Sequence, residues 1–156
     1  FLTGLDYSKK FSFIKNYVRF DNILYIGIRD IDDYEKYIID RNNIKHIFSN
    51  DINNNLNHSL NIISNFVGDD PFHVSFDVDS IDPYFLPSTG TPVPNGIYPE
   101  QAKLLLNKII FDKFGNLNKN FVNMDITELN LLIGNHTEHM KSFNYVTDIV
   151  SNILKV

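Results

Sequence analysis

Residues 72–96 read FHVSFDVDSIDPYFLPSTGTPVPNG, and the fold is organised around them. The first part, Phe72 to Val78, is a short apolar run rich in β-branched and aromatic residues, which predicts a buried strand. Asp77 and Asp79 stand at its downstream end, and the strand ends before Asp82, because the proline that follows donates no ladder hydrogen bond. The later prolines and glycines predict a stiff loop at the carboxyl end of the strand, where α/β proteins place their sites.

The spacing of Asp77 and Asp79 predicts a cation site. Residues i and i+2 of a strand share a face and lie roughly 6–7 Å apart along it. Two carboxylates that close repel each other unless a positive charge lies between them. Oxygen ligands suit Mn²⁺ or Mg²⁺. An Asp-x-Asp pair by itself is also typical of ordinary loop acids, so the interpretation depends on the whole run.

Strands alternate with helices on either side of this stretch. The predicted strands are 22–28, 45–49, 72–78 and 121–126. Four helices are predicted. The first follows the acids Asp32 and Glu35 and ends near Asn42, and the second runs from a cap at Asn50 or Asp51 to about Val67. The third runs from Tyr98 to about Phe114, and the fourth runs from a cap at Thr137 to about Leu154. This order predicts an α/β fold with three layers, α-β-α, and a mostly parallel sheet, in one segment covering residues 1–156.

Three of the four predicted strands deliver acids to one edge of that sheet. The pairs are Asp32 with Glu35, Asp77 with Asp79, and Asp125 with Glu128. Such clustering predicts a metal or cationic-ligand site. For Asp32 and Glu35 a second interpretation is open, because acids also suit the first turn of a helix.

Composition narrows the class of protein. The 156 residues carry a net charge of −5, which argues against nucleic acid as the main partner. There is no cysteine, so neither a disulfide nor a thiolate nucleophile is expected. No apolar run approaches the ~20 residues of a membrane span. We therefore expect a cytoplasmic protein with no membrane partner, and a cationic small substrate would suit the charge balance.

The run from Ser75 to Asp79, then Asp82-Pro83, then Thr89 to Pro92, resembles the second metal motif of the ureohydrolases, the family of arginases and agmatinases. The resemblance covers about residues 22–155 and looks like the C-terminal part of an arginase domain. It implies manganese-dependent hydrolysis of L-arginine to L-ornithine and urea through a metal-bridging hydroxide. It also implies a homo-oligomer, with a trimer favoured.

The resemblance also implies metal ligands and a catalytic pair. Asp77 would bridge two Mn²⁺ ions and act in catalysis, and Asp79 would hold one ion. Glu128, in Thr127 to Asn130, would contact the substrate guanidinium and is the second catalytic candidate. A carboxylate facing a guanidinium has the paired geometry that this group favours.

Further roles carry over residue by residue. Asp32 and Glu35 match the segment that grips the α-amino group of L-arginine. Thr91 matches a loop threonine that lines the same pocket. Asp82 and Asp125 match groups that steady the metal ligands.

The chain lacks several features of the family pattern. The first metal motif, Asp-x-His-x-Asp, an earlier histidine ligand and the proton-shuttling histidine are absent from residues 1–156, and none of the five histidines stands in such a motif. The remaining manganese ligands are therefore expected outside this segment. His73 lies within the buried strand and is expected to be structural.

Three alternatives remain open. An agmatinase or another ureohydrolase would share Asp77, Asp79 and the Thr-Gly-Thr-Pro loop, although Asp32 and Glu35 favour arginase. A metal-free, non-catalytic relative would explain the missing motif. A haloacid-dehalogenase-like phosphotransferase also uses Asp-x-Asp after a strand, but there the motif follows the first strand.

Overall fold

The computed structural model describes Thr3 and residues 13–154. Residues 1–20, which the sequence predicts to be a loop or short helix on the surface, lie largely outside the described residues. From residue 24 onward the elements are β1 (Leu24–Ile28), α1 (Asp33–Arg41), β2 (Lys45–Phe48), α2 (Ser49–Asn54), α3 (Leu56–Val67), β3 (Phe72–Asp77), α4 (Pro99–Ile110), β4 (Phe121–Thr127) and α5 (His136–Leu154). Single 3₁₀ turns occupy Phe20–Asn22 and Val78–Ser80. The predicted alternation of strands and helices is confirmed.

The strands pair in parallel, as predicted, but not in one sheet. Among the described residues β1 pairs with β2 and β3 pairs with β4, giving two separate two-stranded sheets. Hydrophobic periodicity identifies a strand but does not specify its neighbours, which is why the sequence did not predict this division.

Helices lie on both faces of the β1–β2 pair, so the α-β-α layering is confirmed. Ile39 of α1 lines a hollow with His46 and Phe48 of β2. The side chain between them, Ile47, points to the opposite face. It is 2% exposed and packs in the core that contains Ile63 of α3.

The core continues over one face of the β3–β4 pair. Phe76 of β3 is buried in the same cluster as Ile63 of α3, Leu106 of α4 and Ile149 of α5. The alternating side chains of β3 and β4 point the other way, and several are polar and exposed, such as Ser75. The core therefore fixes β3, and with it the acids at its end, from one side.

Three helix boundaries differ from the prediction. The predicted helix to Val67 is two helices, because the side chain of Asn55 accepts a hydrogen bond from the His58 amide and starts α3 anew. Helix α4 stops at Ile110, and Phe111 forms an isolated bridge with Leu117.

The start of α5 also differs, because it is capped by Asn135 rather than by Thr137. The Asn135 side chain accepts hydrogen bonds from the amides of Thr137 and Glu138, and the Glu138 carboxylate accepts one from the Asn135 amide. This reciprocal arrangement is a capping box. Among the described residues, no helix is both long and apolar enough to cross a membrane.

Candidate active site

Asp77 is the last residue of β3, and Asp79 lies in the turn Val78–Ser80 that follows. The prediction that both acids share one face of a strand is therefore wrong. The turn instead brings the main chain of Asp79 back toward Asp77, whose Oδ1 accepts a hydrogen bond from the Asp79 amide at 3.2 Å. Both residues are half-buried.

The surroundings of Asp77 disfavour its negative charge. Burial raises the pKa of the Asp77 carboxyl above its ordinary value, and the negative charges of Asp79 and Glu128 raise it further. Glu128 lies just beyond β4, so the ends of two adjacent strands place the carboxylates of Asp79 and Glu128 within electrostatic reach of Asp77. A divalent cation at this edge would relieve the repulsion among them.

Glu128 has a backbone conformation that L residues rarely adopt. Its φ is 67°, in the left-handed region. A non-glycine residue in such a region costs on the order of 1–3 kcal/mol, and such residues cluster at functional sites.

Thr91 connects the stiff loop to the acids. Its Oγ1 donates a hydrogen bond to Oδ2 of Asp79 at 3.0 Å. The structure therefore places Thr91 beside one of the two candidate metal ligands.

Asp82 closes the base of the loop. Its Oδ1 accepts a hydrogen bond from the Tyr84 amide at 3.0 Å, and its Oδ2 accepts one from the Gly96 amide at 3.1 Å. These bonds fix the two ends of the loop. Any influence of Asp82 on Asp77 or Asp79 would pass through the main chain.

Asp125 contacts its neighbours across the strand pair. Its carboxylate accepts a hydrogen bond from the Ser75 hydroxyl at 2.7 Å and lies 2.9 Å from Nε2 of His73. The other ring nitrogen of His73 lies 2.5 Å from Oδ1 of Asn123. The expectation that His73 is buried is wrong, because its side chain is 45% exposed and belongs to the polar face of β3–β4.

Asp32 and Glu35 form another capping box, at the start of α1. Oδ1 of Asp32 accepts from the amides of Tyr34 and Glu35 at 2.8 Å, and Oε2 of Glu35 accepts from the Asp32 amide at 3.2 Å. Both side chains are exposed. The helix-start interpretation of these acids is thus confirmed, while their role toward a substrate stays a prediction.

Arg29 is a residue of this edge to which sequence reasoning gave no role. Its guanidinium donates one hydrogen bond to the Asp79 carbonyl and another to the Val93 carbonyl. The available signal was its position, as a basic residue directly after β1 in a run otherwise rich in acids.

The donor set fits an oxygen-preferring divalent cation but does not complete its shell. Asp77 and Asp79 offer hard carboxylate oxygens of the kind that Mn²⁺ and Mg²⁺ favour. Within the described part of the chain, no group of three or more histidine, cysteine, aspartate or glutamate side chains is arranged to hold a metal. Further ligands would have to come from elsewhere.

Comparisons with known proteins agree on one family. The family model described as "Arginase family" matches residues 5–151. Arginase of Neurospora crassa is 39% identical over 104 residues, which cover 62% of this chain and 29% of that protein. Arginase-1 of Mus musculus is 34% identical over 141 residues, covering 85% of this chain and 40% of that protein.

A solved structure shares both the fold and part of the sequence. The crystal structure of Entamoeba histolytica arginase in complex with L-ornithine matches with a TM-score of 0.79 and 30% identity, over 91% of this chain and 46% of that one. The chain therefore spans less than half the length of each of these relatives.

Proposed function

Because the chain belongs to the arginase family, we propose that residues 1–156 form the C-terminal portion of an arginase-like domain. The whole protein would hydrolyse L-arginine to L-ornithine and urea. The observation that carries this proposal is the set of three carboxylates, from Asp77, Asp79 and Glu128, at the ends of β3 and β4. The relative from Entamoeba histolytica, solved with L-ornithine, supports the same substrate class.

The metal in this proposal is a pair of Mn²⁺ ions. Asp77 and Asp79 would hold the ions, with the remaining ligands outside this segment. When bound, such a pair supplies a water molecule activated for attack on the guanidinium carbon. Hard oxygen donors and the unfavourable charge on Asp77 both support a cation at this position.

The residues of this chain would bind and orient the substrate. The Glu128 carboxylate would pair with the cationic guanidinium, which would offset part of the repulsion on Asp77. Thr91 would line the pocket while its hydroxyl holds the Asp79 carboxylate. Holding the substrate in one orientation lowers the entropic cost of reaching the transition state.

Asp32 and Glu35 would receive the α-amino group of the substrate. Their carboxylates lie at the N-terminus of α1, where Asp32 already uses one oxygen for two amides. Asp82 and Asp125 would steady the site less directly, through the loop base and through Ser75. Family membership also leads us to propose a cytoplasmic homo-oligomer, with a trimer favoured.

The test is urea release by the full-length protein and its variants. Asp77→Ala and Asp79→Ala should each lose manganese binding and reduce urea release at least about 100-fold, because ligand carboxylates are removed. Asp70→Ala is the matched control, since Asp70 is an exposed acid in the segment before β3. Wild-type rates in Asp77→Ala would contradict the proposal.

Agmatinase is the nearest alternative, and it differs in the substrate. Agmatine lacks the α-carboxylate of arginine, so the two substrates separate the assignments when they are assayed side by side. A correctly folded full-length protein that binds no metal would instead favour a non-catalytic relative.

A further inference from the structure

Arg29 joins two parts of the candidate site that are distant in sequence. Its Nη2 donates to the main-chain carbonyl of Asp79 at 2.5 Å, and its Nε donates to that of Val93 at 3.0 Å. The guanidinium is half-buried, directly after β1. A planar guanidinium presents several N–H groups in a rigid fork, which lets one side chain hold two carbonyls in a fixed relation.

Together with a hydrogen bond from Thr91, these two bonds link Arg29, Asp79 and the loop that contains Thr91 and Val93. The Asp79 side chain accepts from the Thr91 hydroxyl, and Val93 follows Thr91 by two residues in the same loop. Arg29 holds the main chain at both ends of this contact, at Asp79 and beside Thr91. Loss of the guanidinium would therefore release the carboxylate and the hydroxyl relative to each other.

The downstream end of the loop has anchors of its own. Ser49 donates its hydroxyl to the Asn95 carbonyl at 2.6 Å. Asn53 donates to the Gly96 carbonyl and accepts from the Tyr98 amide, both at 2.9 Å. Because α2 already secures this end, the contacts that are particular to Arg29 are those at Asp79 and Val93.

We propose that Arg29 is a positioning residue of the metal site, which holds the Asp79 carboxylate and the Thr91 hydroxyl in register for a divalent cation. The inference rests on the proposed function, since it takes Asp79 as a manganese ligand. Both hydrogen bonds of Arg29 go to main-chain carbonyls. Arg29 would therefore act by positioning Asp79 and Thr91 and not by contacting the substrate.

The experiment compares Arg29→Met, Arg29→Lys and Asn53→Ala in the full-length protein. The manganese dissociation constant is measured from the electron paramagnetic resonance signal of free Mn²⁺, alongside the melting temperature and the steady-state constants. Arg29→Met should weaken manganese binding by about 10- to 100-fold, the range found for groups that orient metal ligands. Arg29→Lys should recover an intermediate affinity, because an ammonium on a flexible stem replaces the fork incompletely.

Asn53→Ala is the control for general loosening of the loop. It removes two hydrogen bonds to the loop end and should lower the melting temperature, yet leave manganese affinity within about twofold, since it does not touch Asp79. Wild-type manganese affinity in Arg29→Met would overturn the proposal, as would an equal loss of affinity in Asn53→Ala.

The wild-type protein separates this inference from the proposed reaction. If it binds manganese but releases no urea from L-arginine, the proposed reaction fails while the comparison of Arg29 variants still decides the role of Arg29. If it binds no manganese, both proposals are overturned.

Discussion

At the scale of single residues, Asp77 and Glu128 are poorly accommodated by the chain that carries them. Asp77 is partly buried beside two other carboxylates, and Glu128 has a left-handed backbone. Both features cost stability and make chemical sense if a cation and a cationic substrate occupy this edge. Replacing either residue should therefore raise or preserve the stability of the protein while weakening its interaction with the cation or the substrate.

Replacing Asp77 by asparagine should raise the melting temperature of the metal-free full-length protein at pH 7 and weaken manganese binding. The folded pKa of Asp77 lies above the unfolded one, so its protonated form stabilises the fold at low pH, and this contribution is lost as the pH rises through the folded pKa. Asparagine resembles the protonated form at every pH. The gain in melting temperature should thus disappear below pH ~4, near the ordinary pKa of aspartate, whereas a gain independent of pH would contradict this explanation.

Replacing Glu128 by asparagine should leave the melting temperature unchanged or raise it, because asparagine adopts the left-handed region more readily. The same change removes the carboxylate proposed to face the guanidinium. Hydrogen bonds to charged groups contribute about 1.5–3 kcal/mol, so kcat/KM for L-arginine should fall about 10- to 100-fold. Steady-state kinetics and thermal denaturation of the same preparation check both halves, and an unchanged kcat/KM would count against the role of Glu128.

At the scale of elements, the loop from Asp82 to Tyr98 owes its shape to close main-chain packing at one glycine. A Cβ on Gly96 would lie 2.3 Å from the Asp82 amide nitrogen and 2.5 Å from the Ile81 carbonyl carbon. Neither atom is the end of a flexible side chain. The base of the loop therefore has to move if any other residue replaces Gly96.

Gly96→Ala should destabilise the protein by about 1–3 kcal/mol, the usual cost of forcing extra volume into a packed site. Gly90→Ala is the matched control in the same loop, because a Cβ there would meet nothing within 4 Å. Chemical denaturation of both variants measures the difference. Equal stability of the two would contradict the close approach at Gly96.

Helix caps give a second prediction at this scale. Asn135→Ala should cost about 1 kcal/mol, since its side chain satisfies two amides at the start of α5. Thr137→Ala should cost less, because Thr137 lies inside the helix and its amide is one of those that Asn135 satisfies. A larger loss for Thr137→Ala, measured by denaturation, would show that the cap is assigned to the wrong residue.

These elements also show which features of the fold can be predicted from local sequence. The strand ends and the acids beyond them were predictable, because β-branched runs and their breakers act over a few residues. The competition between Asn135 and Thr137 was not, since either side chain can cap and the choice depends on the path of the chain. The turn that carries Asp79 off the strand was missed for a related reason, because Asp-x-Asp is compatible with both conformations.

At the scale of the molecule, the two separate strand pairs could not be predicted, because pairing between distant strands leaves no local signal. The contacts of Arg29 could not be predicted for the same reason, since its partners, Asp79 and Val93, are distant in sequence. What the sequence did establish was the family, from about twenty residues in the right order. The family model matches residues 5–151.

We propose that the acids at the ends of β3 and β4 belong to a manganese-dependent arginase. The most direct test measures urea release by the full-length protein from L-arginine and from agmatine, each with and without added manganese. We expect urea to be released from L-arginine, dependent on manganese and faster than from agmatine. Faster release from agmatine, or no urea from either substrate in a protein that binds no manganese, would contradict it.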